Sequence, residues 1–381
     1  MKNGALDGIT VLDMSRLLPG PYASMILADH GARVIAIEDR RFSGESMIEG
    51  SVNRNKEHMT LNLKSDTGRE IFYKLAESAD VILEGFRPGV TKRLGVDYDT
   101  MSKINPSIVY CSISGYGQTG PYRDVAGHDV NYISVAGVLD LIGETGGPPK
   151  IPGVQIADLA GGAMNAAIGI LMAIVERHGN GKGQYIDISM TDGSFSLLTL
   201  PFTIQQLTGE KPVRSDSLFS HRYACYNTYE TKDGRYISIG AVEKRFWKVL
   251  CEVFDVPEFI DHQHDDEKNY EIIDFFRRGF KAHPLDYWEK TLAGKDVCWA
   301  PVRQMSEALE DPLFKEREMV VEIERPGEKP FKALGTPIKL SRTPGGVRTV
   351  PPGFGKDTYA ILKQLGYRHS EIEGFEEAGF I

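Results

Sequence analysis

Short apolar runs alternate with amphipathic stretches along the first half of the chain. The apolar runs predict strands over residues 9–14, 32–37, 59–63, 81–83, 108–114 and 185–189. Helical spacing of apolar residues predicts a helix from about Tyr22 that stops at Gly31, and a second helix from Ser65 to Ala79. Strands that alternate with helices in this way predict an α/β fold built on a doubly wound, Rossmann-like sheet.

The pattern changes after a polar segment over residues 208–220. Two alternating runs, 224–230 and 235–240, flank Lys232-Asp233-Gly234 and predict a hairpin. A further helix is predicted to begin at Glu243, and helices continue to about residue 309. This part of the chain is therefore expected to form a smaller α+β domain.

The predicted domain bounds follow from these patterns. We expect a large Rossmann-like domain over residues 1–207 and the small domain over residues 221–322. The segment 323–381 opens with a Pro/Gly-rich stretch, residues 324–337, and we expect it to return to the large domain.

Composition excludes several classes of protein. The 381 residues carry a net charge of −9, which argues against a general binder of nucleic acid or of membrane surfaces. The sequence shows no run of 18 apolar residues and no apolar leader, so we expect no membrane span and a cytoplasmic location. Its four scattered cysteines form no C-x-x-C pair, and the histidines at 262 and 264 have no ligand partner at a suitable spacing, so no metal site is expected.

Basic side chains recur just after the predicted strands: Arg40, Arg41, Lys56, Lys64, Arg87 and Arg93. Ligands of open α/β sheets bind at the carboxyl ends of strands, so this clustering favours an anionic ligand with several phosphates. The alternative is a set of solvated surface charges. Gly115-Tyr116-Gly117-Gln118-Thr119-Gly120 matches a dinucleotide fingerprint, but Pro121 follows it and no amphipathic helix opens there, which favours a flexible loop.

His128 and Asp158 stand on opposite sides of a Gly/Pro-rich loop over residues 143–153. Two proton-transfer groups can serve one carbon atom if the fold brings them face to face. Each has an ordinary alternative: a loop histidine for His128, and an N-cap at the start of a helix over residues 159–176 for Asp158.

Over its whole length the chain resembles the superfamily of family III CoA-transferases and racemases, and within it the branch that racemises α-methylacyl-CoA thioesters. The matching pieces are Gly20-Pro21, Glu84-Gly85-Phe86-Arg87-Pro88-Gly89, Gly115 to Pro121, Ala126 to Ser134, Asp158-x-x-Gly161-Gly162, Gly181-Lys182-Gly183-Gln184 and Gly240-Ala241-Val242-Glu243.

The resemblance implies a Rossmann-like large domain and a small α+β domain, with two chains threaded through each other as an interlocked homodimer. It implies an acyl-CoA thioester as the partner, with CoA as part of the substrate and no separate cofactor. The residues that would hold CoA are Arg40, Leu61, Asn62, Leu63, Lys64, Gly85, Phe86, Arg87, Arg93, Gly127, Asp129, Val130, Asn131 and Tyr132.

By the same resemblance His128 and Asp158 match the two proton carriers of the racemase branch, and Glu243 matches a carboxylate that helps to set the histidine. The implied reaction is racemisation of a 2-methylacyl-CoA thioester through an enolate. In the transferase branch the position of Asp158 is the covalent nucleophile and the histidine motif is usually absent, so His128 favours the racemase. Lys244 and the stretch 219–223 depart from the racemase pattern near the presumed acyl side of the site. The identity of the acyl group in the substrate is therefore left open.

Overall fold

The computed structural model describes residues 4–44, 52–324 and 329–381, and these residues form two compact units. The first unit comprises residues 1–138, 152–198 and 312–381, and the second comprises residues 139–151 and 199–311. These units divide the chain at other positions than the predicted domains, because the loop that starts at Leu139 belongs to the second unit and the chain rejoins the first unit at Pro312.

A parallel sheet forms the centre of the first unit. Its six strands within the described residues are β1 (Thr10–Asp13), β2 (Arg33–Glu38), β3 (Glu57–Thr60), β4 (Val81–Glu84), β5 (Val109–Ser114) and β6 (Tyr185–Ser189). They pair in the order β3-β2-β1-β4-β5-β6, and each adjacent pair is parallel. The predicted α/β class is confirmed, and five strands lie within one residue of their predicted bounds, whereas β3 spans Glu57–Thr60 instead of residues 59–63. The order reverses beside β1, where open α/β sheets bind their ligands.

Helices connect the strands of the first unit. They are α1 (Pro19–Asp29), α2 (Asp66–Ser78), α3 (Val90–Leu94), α4 (Tyr98–Ile104), α5 (Asp129–Val135), a π-helix (Ala157–Met164), α6 (Asn165–Asn180) and α7 (Met190–Ser196). The start predicted for α1 at about Tyr22 was wrong. Pro19 takes the first position of the helix, where its missing N–H costs nothing. For α2 the prediction is confirmed, since the Ser65 hydroxyl caps the helix by accepting from the Gly68 amide at 3.0 Å.

The segment over residues 157–180 departs from the predicted regular helix. It begins as a π-helix and continues as α6, so Asp158 is the second residue of the π-helix and not an N-cap. By length and composition alone, this helix of 24 residues is apolar enough to cross a membrane, with 44% of its most apolar window buried inside the structure. A buried core helix passes the same test, so the predicted absence of a membrane span stays a prediction.

Lys56 was expected among the anion-binding basic residues, and the structure contradicts this. Its side chain is fully buried, with Nζ 2.9 Å from the Pro21 carbonyl oxygen, 3.0 Å from Asn53 Oδ1 and 3.5 Å from Asp13 Oδ2. Burial lowers the pKa of Lys56, and the nearby charge of Asp13 opposes that effect. The lysine holds α1 and the end of β1 together and has no donor to offer a phosphate.

The C-terminal part of the chain packs against the outer strand of the sheet. The His58 amide donates to Asp357 Oδ2 at 2.9 Å, and the Asp357 amide donates to the His58 carbonyl oxygen at 3.0 Å. This part contains the helices α13 (Pro312–Glu316), α14 (Thr358–Gln364) and α15 (His369–Glu377), and the antiparallel pair β10 (Val320–Ile323) and β11 (Phe331–Leu334). Of the Pro/Gly-rich stretch 324–337, residues 325–328 lie outside the described residues.

The second unit contains the predicted hairpin. Strands β7 (Tyr226–Glu230) and β8 (Tyr236–Gly240) are antiparallel, and β9 (Trp299–Pro301) pairs with β8. Its helices are α8 (Thr199–Thr208), α9 (Lys244–Val253), α10 (Asn269–Lys281), α11 (Leu285–Leu292) and α12 (Met305–Glu310). Trp247 and Leu250 of α9 are fully buried in a largely aromatic core. The helix begins directly after Glu243, close to the predicted start, and the Glu243 side chain makes no capping hydrogen bond.

Candidate active site

A cavity of about 520 Å³ opens at the carboxyl ends of β1, β4 and β5, and it is called the His128 cavity below. His128 and Asp158 both line it. The loops that follow the three strands supply most of its other wall residues, including Arg16, Arg87 and Tyr116. The sheet thus brings the two predicted proton carriers to one cavity, although thirty residues separate them in the chain.

His128 stands immediately before α5 in an extended conformation. Its amide donates to Asn131 Oδ1 at 3.0 Å, and its carbonyl oxygen accepts from the Asn131 amide at 2.8 Å. Both bonds use backbone atoms of His128, and the imidazole takes part in neither. His128 is exposed, so its imidazole is available for general acid–base work.

The ring of Tyr132 supports the same segment from beneath. Its hydroxyl donates to the Gly127 carbonyl oxygen at 2.5 Å, one residue before the histidine. A Cβ atom on Gly115 or Gly127 would lie 2.4 or 2.8 Å from the Tyr132 ring, so both positions require glycine. Burial, followed by the charge of Asp158, raises the pKa of Tyr132 to about 12, which keeps the phenol protonated as a donor.

Asp158 is half-buried at the start of the π-helix. Its amide donates to Asp129 Oδ2 at 3.0 Å, so the first turns of the π-helix and of α5 are tied together. Burial and, after it, the charge of Asp129 raise the pKa of Asp158 to about 6, against the opposing effect of His128. A carboxyl group with this pKa can accept or release a proton near neutral pH. Short π-helical segments are frequent at functional sites.

A second cavity of about 410 Å³, called the strand-end cavity, lies beside the first. The two share five wall residues: Arg16, Leu17, Gly85, Phe86 and Arg87. The strand-end cavity is lined by four cationic side chains, Arg16, Arg41, Lys64 and Arg87, and by two carboxylates, Glu38 and Asp39. Arg16 donates from Nε to Glu38 Oε2 at 3.2 Å and lies 3.5 Å from the centre of the Phe42 ring. Such a cavity suits an anionic ligand that also carries an apolar portion.

The structure brings most of the predicted ligand residues to these two cavities. Gly127, Asn131 and Tyr132 line the His128 cavity, and Leu61, Leu63 and Lys64 line the strand-end cavity, with Gly85, Phe86 and Arg87 on the shared wall. The remaining predicted residues of the first unit lie outside both linings: Arg40, Asn62, Arg93, Asp129 and Val130. Glu243 belongs to the second unit, and its action on His128 stays a prediction.

Several wall residues were missed in the sequence, above all Arg16 and Leu17. Leu17 has a left-handed backbone, with φ of 67°, and its side chain is 54% exposed. Both residues follow β1 directly, so their place after a strand was the signal that could have identified them. Arg41 lines the strand-end cavity although its predicted neighbour Arg40 does not.

No group of three or more His, Cys, Asp or Glu side chains could hold a metal ion in the part of the chain that the structure describes. All four cysteines have free thiols, with Cys111, Cys225 and Cys251 buried.

Comparison with known proteins points to one family. The family model described as CoA-transferase family III matches residues 6–358. Human alpha-methylacyl-CoA racemase is 33% identical over 97% of this chain and 95% of its own length, and human succinyl-CoA:glutarate CoA-transferase is 32% identical over 99% of this chain and 90% of its own length. The crystal structure of a CAIB/BAIF family protein from Brucella suis covers 95% of this chain and 100% of its own, with a TM-score of 0.82 and 27% sequence identity.

Proposed function

The chain belongs to CoA-transferase family III, and from that premise we propose that it racemises or epimerises a 2-methylacyl-CoA thioester by 1,1-proton transfer. The observation that supports this choice is the pair of His128 and Asp158 on one cavity, close enough for the histidine to act on the pKa of the carboxyl group. A racemase needs one proton carrier on each face of the α-carbon, and this cavity offers two.

The reaction uses the two groups in opposite protonation states. In one direction ionised Asp158 removes the α-proton, an enolate forms, and the His128 imidazolium protonates the other face. In the other direction neutral His128 removes the proton and the Asp158 carboxylic acid delivers one. With its pKa raised to about 6, Asp158 can take part in both directions near neutral pH. The acyl group stays on CoA throughout, so no acceptor acid is needed.

We place the CoA portion along the shared wall and the strand-end cavity. Lys64, Arg41 and Arg87 are exposed cationic residues there and would pair with phosphates, while Leu61, Leu63 and Phe86 offer apolar contacts. The substrate then carries CoA itself, and the proposal includes no other cofactor.

The alternative function is transfer of CoA between a thioester and a free carboxylic acid. Asp158 would then attack the thioester carbonyl as a nucleophile, break its C–S bond to release the CoA thiolate, and form a mixed anhydride. The 32% identity to a human CoA-transferase supports this reading about as well as the 33% identity to a human racemase supports the first. We prefer the racemase to the transferase because proton transfer gives His128 a catalytic role.

The remaining parts of the proposal concern the protein's setting. We propose a homodimer of interlocked chains, an action of Glu243 on the catalytic histidine, a cytoplasmic location, and no binding of nucleic acid or membranes. Acidic net charge and the family resemblance support these parts.

Incubation of a 2-methylacyl-CoA with the purified protein in D₂O tests the reaction. Deuterium should enter the α-carbon while the configuration scrambles, without any added acid. His128→Ala and Asp158→Asn should each lower interconversion by about 10²-fold or more, because each variant lacks the proton carrier on one face.

The control for the transferase is the same incubation with a free carboxylic acid and hydroxylamine. If turnover depends on the added acid, and hydroxylamine displaces CoA from an Asp158 thioester to leave a hydroxamate on Asp158, the protein is a transferase and the racemase proposal is wrong.

A further inference from the structure

Glu84 is a buried carboxyl group that the proposed chemistry does not use. It is the last residue of β4, and only 3% of its surface is exposed. Its Oε2 accepts a hydrogen bond of 2.7 Å from the amide of Phe86, two residues further along the chain. Glu84 therefore fixes the direction in which the chain leaves the sheet after β4.

The segment that leaves β4 is the shared wall of the two cavities. Gly85, Phe86 and Arg87 line both the His128 cavity and the strand-end cavity, whereas Glu84 is part of neither lining. Arg87 and Gly85 are exposed, and Phe86 is half-buried and packs against the hydrophobic core of the first unit. By accepting from the Phe86 amide, the Glu84 carboxylate fixes the backbone of this wall without lining either cavity.

The surroundings of Glu84 oppose its ionisation. Burial and, to a smaller extent, the charge of Asp187 on β6 raise the pKa of Glu84 to about 7. The Ser112 hydroxyl and the Phe86 amide act in the other direction. The other ionisable groups that face it are acids with raised pKa values, namely Tyr110 and Cys111 of β5 and Tyr185 of β6. No cation is among the described groups that shift this carboxyl group.

We propose that Glu84 is a positioning residue whose ionised carboxylate holds the wall formed by residues 85–87 in the geometry that binds CoA, so that its protonation weakens CoA binding. A hydrogen bond to a carboxylate is about twice as strong as one to a neutral acceptor. The protonated group also gains an O–H that needs an acceptor of its own in a buried place. The proposal rests on the CoA-binding part of the proposed function and adds a pH dependence to it.

The direction of the effect follows from linkage. If the CoA-bound state needs ionised Glu84, CoA affinity is full above pH 7 and falls as the pH drops through the pKa of this group. Since CoA carries a phosphate that also titrates near pH 6, the wild-type curve alone mixes two effects. A variant that cannot ionise at position 84 separates them.

Calorimetric titration with free CoA from pH 5.5 to 8.5 tests the proposal, with Glu84→Gln as the matched variant. The glutamine keeps an oxygen that can accept from the Phe86 amide but has no charge to lose. Because the glutamine is a neutral acceptor like the protonated carboxyl group, we expect the variant to bind CoA about threefold to tenfold more weakly than the wild type at pH 8.5. The ratio of wild-type to variant Kd should then rise about threefold to tenfold by pH 5.5.

A variant at Asp187 tests whether the ionisation of Glu84 sets the pH dependence of CoA binding. Asp187→Asn removes a charge that adds to the effect of burial on the pKa of Glu84, so the midpoint of the pH dependence should move to lower pH. Glu84→Ala removes the acceptor altogether and should weaken CoA binding at every pH, with circular dichroism as the check on folding.

A Kd ratio of wild type to Glu84→Gln that stays constant across the pH range, with CoA bound well by both, overturns the role of Glu84 and leaves the proposed function intact. Absence of CoA binding by the wild-type protein at every pH overturns both. A rise of the ratio at low pH that shifts with Asp187→Asn supports the proposal.

Discussion

Asp129 and Asp158 are two carboxylates joined through one backbone amide. The Asp129 carboxylate accepts from the Asp158 amide at 3.0 Å, and its charge raises the pKa of the Asp158 carboxyl group beyond the effect of burial. Asp129 therefore has a double effect. It fixes the backbone that carries the proton carrier, and it helps to keep a proton available on that carrier near neutral pH.

Replacing Asp129 with asparagine should separate these two effects. The amide oxygen still accepts from Asp158, but the negative charge is gone, so the pKa of Asp158 should fall below about 6. The limb of the pH–rate profile that Asp158 controls should shift to lower pH, by about half a unit to one unit. Deuterium incorporation at the α-carbon, measured from pH 4.5 to 8, gives this profile.

Asp124→Asn is the matched control, because Asp124 lines the same cavity and pairs with Arg123 but is not among the charges that shift Asp158. An unmoved limb in Asp129→Asn, or an equal shift in both variants, contradicts the role of Asp129.

At the scale of single residues, the sequence predicted only those roles that a local sequence pattern indicates. His128 and Asp158 could be paired because each stands in a recognisable stretch on either side of one loop. Lys56 could not be placed, since a basic residue after a strand looks the same whether it faces solvent or is buried against Asp13. Burial depends on the fold of residues far away in the chain, and no local pattern contains it.

At the scale of single elements, the π-helix and α7 pack so closely that side chains would not fit between them. A Cβ atom on Gly193 would lie 2.1 Å from the Gly161 carbonyl oxygen, and one on Gly161 would lie 2.6 Å from the Met190 carbonyl oxygen. The backbone that carries Asp158 is therefore held against another backbone. The glycines of this segment indicated close packing, but the wider π-helical turn has no apolar period that could have predicted it.

Gly193→Ala should destabilise the protein, because neither backbone can move away without disturbing the sheet edge. We expect the free energy of unfolding to fall by about 3 kcal/mol, measured by urea denaturation at one fixed protein concentration. Gly179→Ala is the matched control: this position lies in α6 with no heavy atom within 4 Å of an added Cβ, and the change should stabilise by about 0.5–1 kcal/mol. Equal effects of the two changes would contradict the close approach of α7 to the π-helix.

At the scale of the whole molecule, the α/β class followed from the alternation of strands and helices, while the bounds of the compact units did not. Residues 139–151 belong to the second unit although they continue directly from α5. The hydrophobic pattern of such a connection is weak, and its contacts are with distant residues such as Arg214, whose guanidinium pairs with Asp140 at 2.7 Å. Long-range contacts of this kind leave no periodic signal in the sequence.

The outer face of α6 and of the π-helix exposes a row of large apolar side chains that a single chain leaves uncovered. They are Met164, Ile168, Leu171, Met172 and Val175, exposed by 36% to 70%. A contiguous apolar surface of this kind marks an interaction site. A second copy of the chain would cover it in the proposed homodimer, and a membrane is the competing explanation for a helix of this composition.

We expect the purified protein to elute as a dimer of twice 42.3 kDa in size-exclusion chromatography with light scattering, and its unfolding to be concerted with loss of the dimer. Val175→Glu should weaken the dimer by about 100-fold or more, because it buries an unpaired charge in the interface. Tyr270→Glu, at a position in α10 that is 78% exposed, adds the same charge elsewhere and should leave the mass unchanged. A folded wild-type monomer at micromolar concentration would refute the dimer, and a monomer that sediments with anionic lipid vesicles would assign the α6 face to a membrane.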